Sequence, residues 1–395
     1  MISRTRHADY GPQIVRNGFF DSWCRAKNRW ITRVQYPLHN AFGFLSDHTG
    51  LDRLYARTAR RLIGGYLYSI KLEITAACTL HCKMCYVPVR RLHLPLALLQ
   101  KVFAQIRNCG IRIELLGGEP LLHPDFVGIV RSAKQIARSP FVTVYTNGIF
   151  AGPCLARDLK SAGLDAALVT LVSHNPEIHD AFTGKSGSWN ATLAGIRNLK
   201  AAGIPVYTFT AIHSDNARDV RDIYRFAKEI LGVHALFYQY VPQVREDPLS
   251  IDPAEWKDLK HWILAEKNRE HMRFVRKFNM LTGNSCSGGN FVLTIKADGS
   301  VQPCPFISDL PLGSIRERPL WDMYRNRFKD SRLLEFKSVP QECTRCSYQS
   351  VCGGGCKASN SVLFGSYSRK DPRCLGPFTG PLDKNEVMDC IPTFF

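Results

Sequence analysis

Three cysteines stand close together after one apolar stretch of the sequence, and their spacing is typical of a metal site. Cys78, Cys82 and Cys85 lie within "CTLHCKMCY", directly after the β-prone run "YLYSIKLEIT". Four thiolates saturate a structural zinc ion or an iron–sulfur cluster, whereas three leave one metal position open for a substrate or a cofactor. The spacing therefore favours a reactive metal centre. The alternative is a zinc site whose fourth ligand is distant in the sequence.

A second and larger group of cysteines lies in the C-terminal third of the chain. Its members are Cys286, Cys304, Cys343, Cys346, Cys352, Cys356 and Cys374. In a long chain without secretory features, clustered Cys-x-x-Cys spacings more often bind metal than form disulfides. The four remaining cysteines are scattered, and we interpret them as structural or surface thiols. These are Cys24, Cys109, Cys154 and Cys390.

The elements that must position these residues alternate between short β-rich runs and amphipathic helical stretches, which predicts a parallel sheet. The predicted strands are "YSIKLEIT", "IRIELLG", "FVTVYTN", "AALVTLVS", "PVYTFTAIH" and "HALFYQYV". The predicted helices are "LPLALLQKVFAQIRNC", "HPDFVGIVRSAKQIARS", "PCLARDLKSAG", "WNATLAGIRNLKAAG", "ARDVRDIYRFAKEIL" and "DPAEWKDLKHWILAEKNRE". Six βα units can form an open sheet or a partly closed barrel. In β/α barrels functional residues lie at the C-terminal ends of strands, and here the cysteines, "GGEP", "TNG" and "SHN" all stand there.

A different kind of structure is expected after about residue 272, where the alternation stops. The segment "FVLTIKADGSVQPC" predicts a β-hairpin with its turn at Asp298 and Gly299. The cysteine-rich loops after it, including "VCGGGCKASN", hold too few apolar residues to build a core by burial alone. Bound metal is therefore expected to hold this part of the chain together.

The three-cysteine motif and the motifs after it resemble the radical S-adenosylmethionine (SAM) enzymes. This resemblance implies a partial (β/α)6 TIM-like barrel, in which the three cysteines hold a [4Fe-4S] cluster whose fourth iron binds SAM. In such enzymes reductive cleavage of SAM gives a 5′-deoxyadenosyl radical that abstracts a substrate hydrogen. The implied SAM contacts are Met84, Tyr86, Gly117, Gly118, Glu119, Pro120, Thr146, Asn147 and Ser173. No acid or base is needed for this first step, and no catalytic residue is assigned.

Each implied contact has a chemical reason. The resemblance places the methionine amino group of SAM at "GGEP", where glycines let the backbone approach the ligand and Glu119 offers a carboxylate acceptor. It places ribose and the SAM carboxylate near "TNG" and Ser173, and adenine on the apolar surface of Met84 and Tyr86. Many relatives carry an aromatic residue at the position of Met84, so this chain departs from the family there.

The seven C-terminal cysteines resemble the SPASM extension of radical SAM enzymes, which carries two auxiliary iron–sulfur clusters, expected here as [4Fe-4S]. The resemblance implies one cluster ligated by Cys343, Cys346, Cys352 and Cys374, and another held by Cys286, Cys304 and Cys356. Relatives that complete the latter cluster carry an additional cysteine just before the position of Cys286, and "FNMLTGNS" contains none. That cluster therefore has an open iron site or takes a remote ligand such as Cys390. Two zinc-ribbon-like sites are the alternative.

Composition and charge restrict the partners of this protein. The 395-residue chain carries a net charge of +18, which favours an acidic partner: a nucleic acid, an anionic membrane surface, an acidic peptide or an acidic redox protein. Charge alone does not choose among these, and we expect an acidic electron donor such as flavodoxin or ferredoxin. The first 65 residues form a basic extension that contains several Trp and Phe residues. No apolar run reaches the ~18 residues of a membrane span, and the N-terminus lacks a secretory signal. We therefore predict a cytoplasmic protein with no transmembrane segment.

These inferences predict a basic extension at 1–65, a radical SAM core at 66–271, a SPASM domain at 272–376 and a tail at 377–395. The expected function is maturation of a peptide or protein side chain, with a small precursor peptide as a candidate partner. Sulfatase-maturing relatives carry an aspartate after the cysteine equivalent to Cys304, and Pro305 stands there, which argues against that activity. The alternatives are an enzyme acting on a small molecule, such as a tetrapyrrole side chain, and a zinc-dependent nucleic-acid-binding protein. Nucleic acid is not an expected partner.

Overall fold

The fold is organised around one nine-stranded sheet. A computed structural model describes residues 67–88, 90–266 and 286–380, so the predicted extension 1–65 and residues 381–395 of the predicted tail lie outside it. The strands are β1 (Ser69–Thr75), β2 (Arg112–Gly117), β3 (Val142–Thr146), β4 (Ala166–Thr170), β5 (Val206–Ile212), β6 (His234–Gln239), β7 (Val292–Ile295), β8 (Ser300–Gln302) and β9 (Gly313–Ser314). Their order in the sheet is β6-β5-β4-β3-β2-β1-β7-β8-β9.

The first six strands run parallel to their neighbours, as the six βα units predicted. β6 and β9 stand at the two ends of the sheet, so the barrel is open rather than closed. The helices are α1 (Leu96–Gln105), α2 (Phe126–Gln135), α3 (Pro153–Ala162), α4 (Pro176–Thr183), α5 (Ser188–Ala201), α6 (Val220–Arg225), α7 (Pro253–Glu266), α8 (Leu320–Asn326), α9 (Ser331–Lys337), α10 (Gln349–Cys352) and α11 (Lys357–Phe364). None of the helices within the described ranges is both long enough and apolar enough to cross a bilayer.

The main core lies between the helices and one face of the sheet. On β1, Ile70, Leu72 and Ile74 are fully buried and belong to the same apolar cluster as Val102 and Phe103 of α1. Alternation along a strand sends the residues between them to the opposite face. We call this opposite face the inner face, and it is concave, because ring contacts on it join strands that are not neighbours in the sheet.

Two helical segments differ from the sequence-based prediction. α4 was not predicted; it begins after Asn175, whose Oδ1 accepts from the amide of Glu177 at 2.8 Å, and Pro176 occupies its first turn. The predicted helix at 217–231 is divided into a 3₁₀ turn, the short α6 and a π-helical turn at Phe226–Ile230.

The predicted hairpin is present, but it extends the barrel sheet rather than standing apart from it. β7 and β8 pair antiparallel, and Gly299 at the turn has a φ of +94°, which favours glycine. β7 also pairs in parallel with β1, with Ser69 opposite Val292. The segment that carries the C-terminal cysteines is therefore attached directly to the strand that leads into the three-cysteine loop.

Candidate functional site

The three-cysteine loop follows β1 and is held against the end of α4. The backbone amides of His81 and Lys83 donate to the carbonyl oxygens of Thr183 and Phe182, at 2.9 and 3.1 Å. These bonds lie on both sides of Cys82. The helix that was not predicted from the sequence therefore fixes the position of the central cysteine.

The three thiols of this loop lie near one another, with Cys78 and Cys82 half-buried and Cys85 exposed. Burial raises the pKa of Cys82 to about 12, and the neighbouring Cys85 and Cys78 add to that rise. Burial is also the main cause that raises the pKa values of Cys78 and Cys85. The loop thus holds neutral thiols at pH 7 until a bound cation stabilises the thiolates. Three convergent thiols of this kind fit an iron–sulfur cluster.

The "GGEP" motif stands at the end of β2, against the start of the cysteine loop. The amides of Gly118 and Glu119 donate to the carbonyl oxygens of Thr75 and Ala77, at 2.8 and 2.7 Å. A Cβ atom would lie 2.4 Å from the Thr75 oxygen if built on Gly117, and 2.4 Å from the Ala77 oxygen if built on Gly118. Close approach of the two chain segments therefore requires both glycines, a reason that the sequence analysis did not give.

Glu119 is fully buried, and its carboxylate joins the ends of β2 and β3. It accepts hydrogen bonds from the Thr146 hydroxyl at 2.6 Å and from the amides of Asn147 and Leu121 at 2.7 and 3.0 Å. Burial raises the pKa of Glu119 to about 7, although these bonds favour the carboxylate. The side-chain Nδ2 of Asn147 is buried without a hydrogen-bond partner, so it has a donor to offer a ligand at this strand end.

The other predicted SAM contacts lie in three different surroundings. Pro120 begins a short 3₁₀ turn at Pro120–Leu122. Ser173 is fully buried, and its hydroxyl accepts from the amide of Asn175 at 3.1 Å. Met84 packs beside a small apolar cluster formed by Val172, Phe182, Tyr240 and Leu249.

Tyr86 is directed toward the C-terminal segment of the chain. Its ring lies 4.7 Å from the ring of Phe306, and the Nζ of Lys296 lies 5.0 Å from its centroid. Burial together with the negative charge of the nearby Glu73 raises the pKa of Tyr86 well above its usual range. Tyr86 therefore lies between the three-cysteine loop and the loop of Cys304, and its predicted contact with adenine stays a prediction.

A buried ion pair connects β1 to the segment that leads to Cys304. The Nζ of Lys296 lies 2.9 Å from Oε1 of Glu73, and the two side chains are 12% and 4% exposed. The same ammonium donates to the carbonyl oxygen of Pro305, the residue after Cys304. Burial raises the pKa of Glu73, and Lys296 opposes that rise. One cation thus fastens the inner face of β1 to the segment that carries the auxiliary cysteines.

The inner face also carries a second ion pair. Glu114 on β2 accepts from the hydroxyls of Tyr145 and Ser69 and lies 3.3 Å from the Nζ of Lys71. Burial disfavours the charged form, but Lys71, Ser69 and Tyr145 together lower the pKa of Glu114. Both lysines that we place on the inner face are therefore neutralised by glutamates of the same chain.

Aromatic rings continue the inner face toward the three-cysteine loop. Phe209 stacks on Tyr238 with centroids 4.0 Å apart, and it meets Tyr145 at 5.0 Å. Tyr238 is close enough to Cys82 and Cys85 for their charges to help raise its pKa, whose main cause is burial. Sequence reasoning missed this face, although polar or charged residues at every second position of "SIKLEIT" were a signal for it.

Four C-terminal cysteines line one cavity, and they are the four that the sequence analysis assigned to a single cluster. The cavity has an empty volume of about 370 Å³, part of it open to solvent, and its cysteines are Cys343, Cys346, Cys352 and Cys374. Burial raises the pKa of Cys343 to about 11 and that of Cys352 to about 12, with Cys374 adding to both. Pro377 and Phe378, placed in the tail by the sequence analysis, also line the cavity.

The other three C-terminal cysteines surround a small apolar cluster. Cys286, Cys304 and Cys356 pack against a core that includes Leu333 and Phe336. Burial raises the pKa of Cys304 to about 12, and Cys286 and Cys356 add to the rise. The three thiols fit the three-ligand cluster that the resemblance implied. Cys390 and the segment "FNMLTGNS" lie outside the described residues, as does Cys24.

Two polar residues that the sequence analysis did not single out support these cysteines. Asp371 is fully buried, and its carboxylate accepts from the amide of Cys356 at 2.7 Å and from the guanidinium of Arg373 at 2.9 Å. Their position in "KDPRC", next to Cys374, was the available signal. Of the scattered cysteines within the described ranges, Cys109 is buried in the main core and Cys154 is exposed, as expected for structural and surface thiols.

Comparison with known families matches both parts of the chain. Residues 72–227 match the radical SAM superfamily, and residues 286–347 match the SPASM family of iron-sulfur cluster-binding domains. An AdoMet-dependent heme synthase of Methanosarcina barkeri is 27% identical over 339 residues, covering 78% of this chain and 95% of that protein. A PqqA peptide cyclase of Ruegeria pomeroyi is 23% identical over 322 residues, covering 76% of this chain and 85% of that protein.

Solved structures share the fold. SuiB of Streptococcus suis bound to S-adenosylmethionine has a TM-score of 0.63 at 15% identity, covering 81% of this chain and 80% of that one. The same protein bound to its precursor peptide SuiA has a TM-score of 0.63 at 14% identity, covering 83% of this chain and 80% of that one.

Proposed function

Because the chain belongs to the radical SAM superfamily and carries a SPASM domain, it is an enzyme that uses SAM and iron–sulfur clusters, and we propose that it modifies a side chain of a peptide or protein. When bound, SAM and its [4Fe-4S] cluster supply a 5′-deoxyadenosyl radical that abstracts a substrate hydrogen. The observation that carries the choice of substrate is the inner face. It is aromatic, it leads to the three-cysteine loop, and its two lysines are already paired with glutamates.

The residues of this chain have separate tasks in the proposed reaction. Cys78, Cys82 and Cys85 hold the cluster that binds SAM. The seven C-terminal cysteines hold two auxiliary clusters in the groups of three and four that pack separately. Contacts to SAM come from the nine residues assigned above, among which Asn147 has an unused donor at the strand end. The inner face orients the substrate and keeps water from the radical.

An uncharged side chain suits the inner face because its charges are compensated within the chain. Glu114 neutralises Lys71, and Glu73 neutralises Lys296. A substrate with several carboxylates would need free cations, and Lys71 and Lys296 already have carboxylate partners. Aromatic and aliphatic amino-acid side chains would instead pack on Tyr145, Phe209 and Tyr238. The PqqA peptide cyclase among the relatives agrees with a peptide substrate.

A tetrapyrrole side chain is the second candidate substrate. It is favoured by the sequence relatives, since the AdoMet-dependent heme synthase is 27% identical and is matched over 95% of its length. A pre-heme d1 synthase of Dinoroseobacter shibae also matches, at 24% identity over 371 residues, 82% of this chain and 90% of that protein. The paired state of Lys71 and Lys296 is the observation against it.

The two candidates are separated by following SAM cleavage and hydrogen transfer in parallel reactions. Anaerobically reconstituted enzyme would receive SAM, dithionite and either short peptides encoded next to its gene or tetrapyrroles with carboxylate side chains. We expect a mass change in a peptide. When the peptide is supplied in deuterated form, we expect its deuterium to be transferred into 5′-deoxyadenosine. Deuterium transfer from a tetrapyrrole alone would replace the peptide proposal with the second candidate.

Reducing equivalents must come from a partner, and we propose an acidic electron-transfer protein such as flavodoxin or ferredoxin. The support for this partner is the net charge of +18, which attracts acidic surfaces. SAM cleavage driven by reduced flavodoxin should fall steeply as the salt concentration rises, whereas cleavage driven by dithionite should change much less. Equal salt dependence of the two rates would argue against charge-steered docking.

A further inference from the structure

Lys357 is a charged residue buried inside the C-terminal cysteine region. It is the first residue of α11, directly after Cys356, and only 1% of its surface is exposed. Its Nζ donates to the carbonyl oxygens of Ser338 and Tyr367, at 2.7 and 3.3 Å. These bonds fix the ammonium group in place, but carbonyl dipoles do not neutralise its charge.

No ion pair among the described residues includes Lys357. Arg373, the neighbouring buried cation, is paired with Asp371 at 2.9 Å, so its charge is compensated within the protein. A buried ammonium without a counter-ion is strongly destabilising. The site of Lys357 therefore calls for a negative charge that does not come from a described carboxylate.

Both auxiliary groups lie close to this ammonium. Lys357 directly follows Cys356, and its Nζ would lie 3.3 Å from a Cβ built on Gly354, a residue that lines the cavity of the four-cysteine group. The thiols of Cys286 and Cys356 from the three-cysteine group interact with it electrostatically, and so do those of Cys343 and Cys352 from the four-cysteine group. Iron–sulfur clusters held by thiolates carry net negative charge, and their reduction potentials depend on the charges around them. Lys357 thus lies where it faces both auxiliary clusters at once.

We propose that Lys357 is the shared counter-charge of the two auxiliary clusters. Its ammonium stabilises the reduced, more negative state of each cluster and so raises both reduction potentials. This role goes beyond the proposed function and does not depend on whether the substrate is a peptide.

Two other lysines each face one auxiliary group and provide matched controls. Lys337 donates to the carbonyl oxygens of Cys286 and Gly288, at 2.8 and 3.0 Å. It interacts with the thiols of Cys286 and Cys304, and its charge and that of Lys357 repel each other. Lys370 lines the cavity of the four-cysteine group and interacts with Cys374. A change of charge at either lysine should reach one cluster and spare the other.

The test is a redox titration of the full reconstituted chain, followed by EPR. All variants are prepared in the Cys82→Ala background, which removes the signal of the SAM-binding cluster. Lys357→Gln keeps a hydrogen-bond donor but loses the charge, and it should lower both auxiliary midpoint potentials. Lys337→Met should lower only the midpoint potential of the auxiliary cluster held by Cys286, Cys304 and Cys356. Lys370→Met should lower only the midpoint potential of the auxiliary cluster in the four-cysteine group. Lys357→Arg should leave both close to those of the Cys82→Ala parent.

The outcomes separate this role from a structural one. If Lys357→Gln shifts neither potential, or only one, the shared role is wrong. If Lys357→Gln loses iron while Lys357→Arg retains it, the charge is required to assemble the clusters, which supports the proposal. Equal loss of iron in Lys357→Gln and Lys357→Arg would show that Lys357 acts through packing, and would overturn it. Absence of iron from the parent chain would instead contradict the assignment of the clusters.

Discussion

The loop at residues 78–85 and the cysteine-rich region at 343–374 both gather thiols, but different forces hold them in place. The loop stands at the end of a buried parallel strand, and its backbone is bonded to α4, so the barrel core positions it. In the later region Cys356 packs against a small apolar cluster, and the other four cysteines line a cavity that is partly open to solvent. Buried polar residues such as Asp371 and Lys357 lie beside Cys356. We therefore expect folding alone to preform the first site, and we expect the second region to depend on its bound metal.

Removal of iron should therefore affect the two regions very differently, and this is the largest effect we expect. Anaerobic chelation should increase amide hydrogen exchange in α10 and α11 by orders of magnitude, because their thiols then stay buried, neutral and unlinked. Exchange in β2, β3 and β4 should change little. Exchange measured by mass spectrometry checks this, and persistent protection of α11 after complete iron removal would contradict the comparison.

Loss of the ion pair that joins the two regions should have the next largest effect. Lys296→Met leaves Glu73 buried without its partner, which costs about 3–5 kcal/mol. The matched control is Lys83→Met, because the pair of Lys83 with Asp215 is 54% and 37% exposed and such pairs contribute at most ~1 kcal/mol. Native-state hydrogen exchange of β1 and β7 amides measures both changes. Equal losses of stability in Lys296→Met and Lys83→Met would mean that burial does not make the Lys296–Glu73 pair more stabilising than an exposed pair.

Within the barrel, substitution of Glu119 tests whether the end of β2 contributes to SAM binding. Glu119→Ala removes the acceptor of Thr146 and Asn147 together with the proposed charged hydrogen bond to SAM. Loss of one such bond is worth ~1.5–3 kcal/mol, or roughly ten- to a hundredfold in affinity. Anaerobic equilibrium dialysis with labelled SAM gives the dissociation constant, and circular dichroism controls for folding. If SAM affinity were unchanged in a folded variant, the "GGEP" turn would be structural only.

The smallest expected effect concerns acid stability of the barrel. His213 is fully buried, stacks on Phe182 at 4.2 Å and has two ring nitrogens without partners. Burial lowers the pKa of His213 to about 4. The unfolded chain then binds the proton more tightly, so stability is present above pH ~6.5 and is lost as pH falls toward 4, by at most ~3 kcal/mol. His213→Phe keeps the stacking, and its unfolding midpoint should be less sensitive to acid; an unchanged pH slope would contradict this.

Much of the barrel could be predicted from the sequence, because the spacing of apolar residues within one segment is enough to identify that segment as a strand or a helix. The spacing of apolar residues located the six strands and most helices, and the hairpin at Gly299 followed from its turn residues. α4 was missed because it is a short helix between a strand end and a longer helix. Its capping pair, Asn175 followed by Pro176, was the signal that could have revealed it.

The ion pairs of the site could not be predicted in this way, because each pair joins two segments that are distant in the sequence. Lys296 meets Glu73 across 223 positions of sequence, because β7 joins the sheet beside β1. Lys71 meets Glu114 because of the register between β1 and β2. Such pairs follow from strand order and curvature, so spacing along the chain gave no indication of them. The cysteine groups were predictable because a known family supplied their pairing.

Metal analysis of two proteins tests the central claim most directly. The claim is that the chain holds three iron–sulfur clusters and that the cluster of Cys78, Cys82 and Cys85 cleaves SAM. Ten thiolates in groups of three, three and four predict close to twelve irons and as many sulfides per chain if all clusters are [4Fe-4S]. Cys82→Ala should retain about eight irons in its C-terminal clusters and form no 5′-deoxyadenosine from SAM and dithionite, while the exposed-thiol control Cys154→Ala behaves as wild type. Zinc with negligible sulfide in the wild type, or continued SAM cleavage by Cys82→Ala, would contradict the account.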